Sequence, residues 1–184
     1  YKLWLESTSV LERLGNQDIA IDCDAFFYQI KKEQKLFVKT KYYEEARKIL
    51  ENEHMLMLLG DPGVGKTMLT KMLALAFVSE GYRIRYTTNG ELSDLKRALS
   101  ADRERKELIV LDDCLGQHYF KMQETKENEL LALVKYIMHN PNKLLIMNSR
   151  VTIFHEARER SCDFRYFMDD ENIKIRKLEM NGLD

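Results

Sequence analysis

A glycine-rich segment at residues 60–67 has the residue types and the spacing of a phosphate-binding loop. It matches the pattern GxxxxGK[ST] at every fixed position and comprises Gly60, Asp61, Pro62, Gly63, Val64, Gly65, Lys66 and Thr67. Glycines let backbone N–H groups approach phosphate oxygens closely, and the N-terminus of a following helix favours an anion. We predict that these residues and the adjacent Met68 contact a nucleotide, with Lys66 on its β- and γ-phosphates and the Thr67 hydroxyl on Mg²⁺.

An apolar run at residues 107–111 ends in two carboxylates, Asp112 and Asp113. Because the carboxyl ends of parallel strands meet at one edge of a sheet, Asp112 should lie beside the phosphate-binding loop. We predict that Asp112 holds the Mg²⁺ shell through water and that Asp113 polarises an attacking water molecule. The pattern is weak on its own, because a solvated turn after a buried strand has the same sequence.

A second apolar run, at residues 144–147, also ends in polar side chains, which are Asn148, Ser149 and Arg150. A parallel neighbour brings this tip to the same edge of the sheet. Asn148 can there orient water or contact the γ-phosphate, and Arg150 can sense the γ-phosphate through its positive charge. The alternative for Arg150 is an ordinary surface arginine near the start of a helix.

Helix and strand signals alternate from about Thr40 onward, which predicts a parallel sheet covered on both faces. The predicted helices are 41–52 with Thr40 as the N-cap, 66–80, 92–101, a helix through 130–138 and 152–159. The predicted strands are 54–59, 82–87, 107–111, 144–147 and 173–178. Residues 1–36 differ, since an amphipathic helix around 3–14 is followed by a mixed segment.

Length and composition exclude several classes of protein. The 184 residues are 45% hydrophobic, and 29 basic against 30 acidic residues give a net charge of −1, which points to no nucleic-acid or other charged partner. Three widely spaced cysteines offer neither a zinc site nor a disulfide framework, and no apolar run is long enough to span a membrane. We therefore expect a cytoplasmic protein without membrane contact.

The chain starts at Tyr1 rather than at Met, so we expect it to be a piece of a longer protein. We predict that residues 1–36 are an N-terminal segment or the end of an upstream domain. Residues 37–184 are then predicted to form the nucleotide-binding domain, truncated at its C-terminal side.

Four ordered blocks resemble the STAND-class P-loop NTPases, most of all the novel STAND subgroup of bacterial multidomain proteins. The blocks are FVKTKYYEEARKIL, GDPGVGKT, LIVLDDCLG and LLIMNSR, within residues 37–159. The resemblance implies an α/β fold in three layers, of the ASCE or AAA+-like type, with parallel strand order 5-1-4-3-2. It further implies ATP and Mg²⁺ as cofactors, and slow hydrolysis used as a switch.

The resemblance also implies partners and residue roles. In such proteins a C-terminal sensor binds a trigger, which is a protein or a nucleic acid, and ATP favours homo-oligomers that activate an effector. Several bacterial members act in antiviral defence. Lys66 and Thr67 match the phosphate and Mg²⁺ ligands, Asp112 the Mg²⁺ ligand and Arg150 the γ-phosphate sensor, although many members have Thr or Ser at the position of Asn148. The segment 37–38 either contacts adenine or packs on the sheet edge.

Two other functions remain open from the sequence. An AAA+ remodelling ATPase or helicase loader also fits, because an Asn commonly ends this strand in that class. Such a motor needs an arginine that reaches the ATP of a neighbouring subunit, for which Arg158, Arg160 and Arg165 are candidates. A nuclease fragment is the weaker alternative, since Asp22 and Asp24 followed by residues 29–31 only faintly match a D…QxK spacing.

Overall fold

The computed structural model describes residues 21–33, 40–88, 92, 95, 99, 103–116 and 124–181. The helices in these ranges are α1 (Ile21–Glu33), α2 (Lys41–Glu53), α3 (Lys66–Ser79), α4 (Glu124–Met138), α5 (Val151–Arg160) and α6 (Cys162–Asp169). The strands are β1 (Met55–Gly60), β2 (Arg83–Thr88), β3 (Glu107–Asp112), β4 (Lys143–Ser149) and β5 (Ile175–Met180).

The five strands form one parallel sheet in the order β2-β3-β4-β1-β5. This is the predicted order 5-1-4-3-2 read from the other edge, so the fold class and the strand order are confirmed. Strand β4 lies between β3 and β1, so the connection from β1 to β2 passes over β4 and β3, and the connection from β4 to β5 passes over β1. The carboxyl ends of β1, β3 and β4 therefore lie next to one another at one edge of the sheet, as the sequence predicted.

Two apolar clusters cover the two faces of the sheet, as expected of a sheet that is buried on both sides. Alternate residues of β1 belong to different clusters. Leu56 and Leu58 pack with α2 and α3, whereas Met57 packs with α4, α5 and α6. Every residue of β1 is buried, which explains why its sequence is continuously apolar rather than alternating. Because the strands are parallel, the loops that follow β1, β3 and β4 lie at one edge of the sheet.

Local signals set several helix ends. The Thr40 side chain caps α2 by accepting a hydrogen bond from the Tyr43 N–H, as predicted. Gly81 follows α3 with a φ of 94°, in the left-handed region that suits a residue just past a helix end. Helix α6 was not predicted, because it follows α5 after one residue, Ser161, with no glycine or proline between them. Ser161 caps α6 through the Phe164 N–H.

Helix α1 packs against the main body of the fold. Its side chains Phe26 and Ile30 are buried in the same apolar cluster as α3 and the adjoining face of the sheet. The amphipathic helix predicted around residues 3–14 lies outside the described residues, and of the predicted helix 92–101 only three positions are described. Within the described part of the chain, no helix is both long and apolar enough to cross a membrane.

Candidate nucleotide-binding site

A cleft of about 470 Å³ lies at the carboxyl ends of β1, β3 and β4. Its lining includes most of the residues predicted from the sequence, namely Pro62, Gly63, Gly65, Lys66, Thr67, Met68, Asp112, Asp113, Asn148 and Arg150. Two further lining residues, Glu33 and Lys71, were not predicted. Gly60, Asp61 and Val64 belong to the same loop without lining the cleft. The fold thus brings the three polar segments of the sequence together.

Two glycines make the loop between β1 and α3 possible. A Cβ atom on Gly60 would lie 2.7 Å from the Met180 carbonyl oxygen and 2.7 Å from Val64 Cγ2, so the last position of β1 has no room for a side chain. Gly65 has a φ of 94° at the N-cap of α3, a conformation that other residues adopt only with strain. The chain can therefore turn sharply from the strand into the helix and present the N-terminus of α3 to the cleft.

The Lys66 ammonium lies against its own loop. Its Nζ donates to the carbonyl oxygens of Gly60 at 2.7 Å and Asp61 at 2.8 Å. Burial lowers the pKa of Lys66 below that of an ordinary lysine, and the Arg150 charge lowers it further, although three nearby carboxylates oppose the shift. A partly desolvated cation in this position favours an incoming anion.

Asp112 is held by hydrogen bonds to both of its oxygens. Tyr86 on β2 donates its hydroxyl to Oδ2 at 3.0 Å, and Asn148 Nδ2 donates to Oδ1 at 2.7 Å. A carboxylate oxygen has more than one acceptor site, so these bonds fix the group without exhausting it. The half-buried Asp112 thus reaches the cleft in a defined orientation.

The oxygen donors in the cleft fit Mg²⁺. Thr67 and Asp112 line the same space, and Mg²⁺ in phosphate-binding sites typically takes one or two protein oxygens together with water and phosphate. Among the described residues no group of three or more His, Cys, Asp and Glu side chains could hold a metal ion by itself. The donor set therefore suits a cation that arrives with, and is completed by, a phosphate ligand.

Asp113 has an unusual backbone conformation directly after Asp112. Its φ of 52° lies in the left-handed region, which Asp tolerates better than most residues because its short side chain can bond locally. Its N–H donates to Asn148 Oδ1 at 2.8 Å, and its carbonyl accepts from the Gly116 N–H at 2.8 Å. These bonds hold a strained residue at the wall of the cleft.

Asn148 connects the two acids. Asn148 is 3% exposed. Its amide nitrogen donates to the Asp112 carboxylate, and its amide oxygen accepts from the Asp113 N–H. Its backbone carbonyl also accepts from the Cys114 N–H at 3.0 Å. The sequence predicted that Asn148 lies at this edge. It did not predict that the side chain would bond to the Asp112 carboxylate and to the Asp113 backbone N–H, because such contacts across strands depend on register.

Arg150 follows β4 directly and occupies the N-cap position of α5. It is half-buried and lines the cleft, where its charge adds to that of Lys66. Within the described ranges no carboxylate forms an ion pair with it. Two cations therefore face one cleft, with an arrangement suited to a polyanion.

Glu33 and Lys71 form an ion pair at the rim of this cleft, with Nζ and Oε2 2.7 Å apart. Lys71 lies five residues beyond Lys66 on α3, and Glu33 is the last residue of α1. Sequence reasoning missed both, since neither belongs to a recognisable motif. The only signal available was that a lysine on an otherwise apolar helix face requires a partner.

The arginines considered for the motor hypothesis lie elsewhere. Arg158 on α5 pairs with Asp169, and Arg160 pairs with Glu156 at 3.2 Å. Arg165 on α6 is exposed. None of the three belongs to the lining of the cleft. Asp22 and Asp24, considered for the nuclease hypothesis, lie in α1, and the segment 37–38 lies outside the described residues.

Several solved structures share features of this fold. The AMPPCP-bound DnaA of Aquifex aeolicus has a TM-score of 0.54 and 15% sequence identity, over 80% of this chain and 50% of that chain. A DNA replication initiation factor (TM-score 0.48, 16% identity, 91% of this chain and 49% of that one) and Drosophila ORC bound to AT-rich DNA and Cdc6 (0.48, 10%, 87% and 58%) are more distant in shape. The chain therefore spans about half the length of the DnaA chain, and the likeness to DnaA concerns the fold.

Sequence comparison gives the narrower result. No curated protein sequence is similar enough to this chain to count as a relative. The sequence model of one family, described as Novel STAND NTPase 3, matches residues 37–182, which include the loop, both acids, Asn148 and Arg150. That match covers most of the chain and agrees with the parallel sheet and with the cleft at its edge. The chain belongs to the Novel STAND NTPase 3 family.

Proposed function

We propose that this chain is the ATP-binding and slowly hydrolysing switch domain of a larger STAND-type signalling or defence protein. The observation that supports it most is the convergence of Lys66, Thr67, Asp112 and Arg150 on one cleft. In this proposal, nucleotide state couples the sensing of a protein or nucleic-acid trigger by another region to homo-oligomerisation and to activation of an effector. Membership of a STAND family is consistent with that role.

The residues of the loop account for binding of the triphosphate. The Lys66 ammonium can exchange its bonds to the Gly60 and Asp61 carbonyls for bonds to phosphate oxygens, which are charged and therefore stronger acceptors. Arg150 lines the same cleft just after β4 and supplies a second cation, which in this proposal distinguishes a triphosphate from a diphosphate. Thr67 and Asp112 would hold Mg²⁺, which neutralises phosphate charge when bound.

Asp113 accounts for hydrolysis in the proposal. Its carboxylate is the candidate base for an attacking water molecule, and Asn148 restrains its backbone by accepting the Asp113 N–H. Asp has one methylene fewer than Glu, so the reach of this base is short. Slow turnover, as a switch requires, is compatible with that geometry.

An AAA+ remodelling ATPase or helicase-loader-type motor is the second candidate. The fold shared with DnaA and the exposed position of Arg165 support it, because a motor needs an arginine that can reach a neighbouring subunit. A comparison of arginine variants distinguishes the two functions. Loss of hydrolysis in trans on Arg158→Ala, Arg160→Ala or Arg165→Ala would favour the motor, whereas dependence on Arg150 alone would favour the switch.

The Lys66→Ala variant tests nucleotide binding. Loss of a charge-assisted contact should weaken MgATP affinity by about 30-fold, measured by isothermal titration calorimetry. Lys48→Ala, at an exposed position of α2, removes a lysine of equal charge and should leave the affinity unchanged. If Lys66→Ala binds MgATP as tightly as the parent chain, the cleft is not the nucleotide site.

A further inference from the structure

Helix α1 reaches the candidate metal ligand through one intervening side chain. The rings of Phe26 and Tyr86 are stacked, with centroids 4.2 Å apart and planes inclined by 12°. The Tyr86 hydroxyl at the other end of that ring donates to Asp112 Oδ2 at 3.0 Å. A continuous set of contacts therefore joins α1 to the carboxylate at the end of β3.

The Tyr86 side chain has a contact that serves to orient Asp112, in addition to the contact that packs its ring. Phe26 is 2% exposed and could pack against a phenylalanine at position 86 equally well, so apolar burial does not require the hydroxyl. The hydroxyl bonds to one carboxylate oxygen while Asn148 bonds to the other, which restricts rotation of the carboxylate. Partners of this kind are known to influence metal affinity although they do not touch the metal.

Helix α1 is held by further contacts on the C-terminal side of Phe26. Phe26 and Ile30 are buried in the core, and Glu33 pairs with Lys71 at the rim of the cleft. The family match begins at residue 37, after α1 ends. The helix therefore contributes to the site from outside the segment that defines the family.

We propose that Tyr86 is a positioning residue for Asp112 and that α1, through Phe26, sets the orientation of Tyr86. Docking of α1 then controls how strongly the cleft prefers nucleotide with Mg²⁺ over nucleotide without it. The inference rests on the proposed nucleotide-binding function and adds to it a coupling between α1 and the metal.

The test is the ratio of two ATP dissociation constants, one with EDTA and one with Mg²⁺, measured by calorimetry on the 184-residue chain. Tyr86→Phe keeps the stacked ring and removes only the hydroxyl. It should lower this ratio by about 10-fold, while affinity for metal-free ATP stays constant. Phe26→Leu keeps the core apolar and removes the stack, and it should lower the ratio by about 3-fold.

The control is Tyr82→Phe, which removes a tyrosine hydroxyl just before the other end of β2 and keeps the edge contact with Phe77. It should leave the ratio at the parent value. If the parent chain binds MgATP and Tyr86→Phe has the parent ratio, the positioning role is wrong and the proposed function stands. If the parent chain binds ATP under neither condition, the proposed function fails and the positioning role fails with it.

Discussion

Strand β3 carries an acidic residue at each end, and the two ends differ in what surrounds them. Glu107 at the start and Asp112 at the finish are five residues apart on one strand. Each contacts polar side chains from β2 and β4. The same three strands thus build two polar clusters, one at either edge of the sheet.

The cluster around Glu107 is closed. Its Oε2 accepts from Arg85 Nε at 2.9 Å and its Oε1 accepts from Lys143 Nζ at 2.6 Å. The Glu107 and Lys143 side chains are 0% exposed, and Lys143 also donates to the Arg105 carbonyl. The acid bonds to cations on both sides and no solvent reaches it, so this cluster has a structural role.

The cluster around Asp112 is open. Its hydrogen bonds come from neutral groups, and the cations nearby, Lys66 and Arg150, face a cleft instead of pairing directly with the acid. The comparison teaches that charged side chains alone do not mark a candidate binding site. What distinguishes the two ends is whether the cations are paired within the protein or remain available to an anion.

The largest effect that would test this comparison is expected from Glu107→Gln. The change removes the carboxylate shared by two buried cations and should lower the free energy of unfolding by about 4 kcal/mol, measured by urea denaturation. Glu179→Gln, at an exposed position of β5, is the matched control and should have little effect. MgATP affinity of the folded Glu107→Gln protein should stay at the parent value. A loss of affinity without a loss of stability would contradict the division between the two clusters.

The second effect concerns the open end. Asp113→Asn preserves a residue that tolerates the left-handed backbone conformation and removes the candidate base. ATP turnover under single-turnover conditions should fall by about 100-fold, with MgATP affinity unchanged. Asp163→Asn, at an exposed position of α6, should alter neither quantity. Equal losses of turnover and affinity in Asp113→Asn would assign Asp113 to binding instead.

The sequence was sufficient to predict those parts of the fold and site that depend on local pattern. The loop needs glycine at position 60 because of a close approach and at position 65 because of a positive φ, and both requirements are visible as a motif. The polar residues at the ends of β3 and β4 follow from apolar runs that stop abruptly. The parallel arrangement then places those ends together.

The contacts that depend on register and on distant segments could not be predicted. Nothing in the sequence indicates that Arg85, in the middle of β2, pairs with Glu107 at the start of β3. The stacking of Phe26 on Tyr86 joins residues 60 positions apart, in segments that have no shared pattern. Such pairs are fixed by how the strands and helices pack, and a one-residue slip would separate them.

The smallest effect is expected from Asn148→Leu, which should change both the stability and the turnover of the protein. Leucine has the same number and branching of side-chain heavy atoms but bonds to neither Asp112 nor the Asp113 N–H, so the free energy of unfolding should fall by about 2 kcal/mol. Turnover should also fall, by about 10-fold, because the candidate base Asp113 loses its backbone restraint. Asn140→Leu is the control, since Asn140 is buried before β4 and its side chain donates to the Tyr136 carbonyl. That variant should lose stability and keep its turnover, so equal losses of turnover in both variants would mean that Asn148 acts through stability alone.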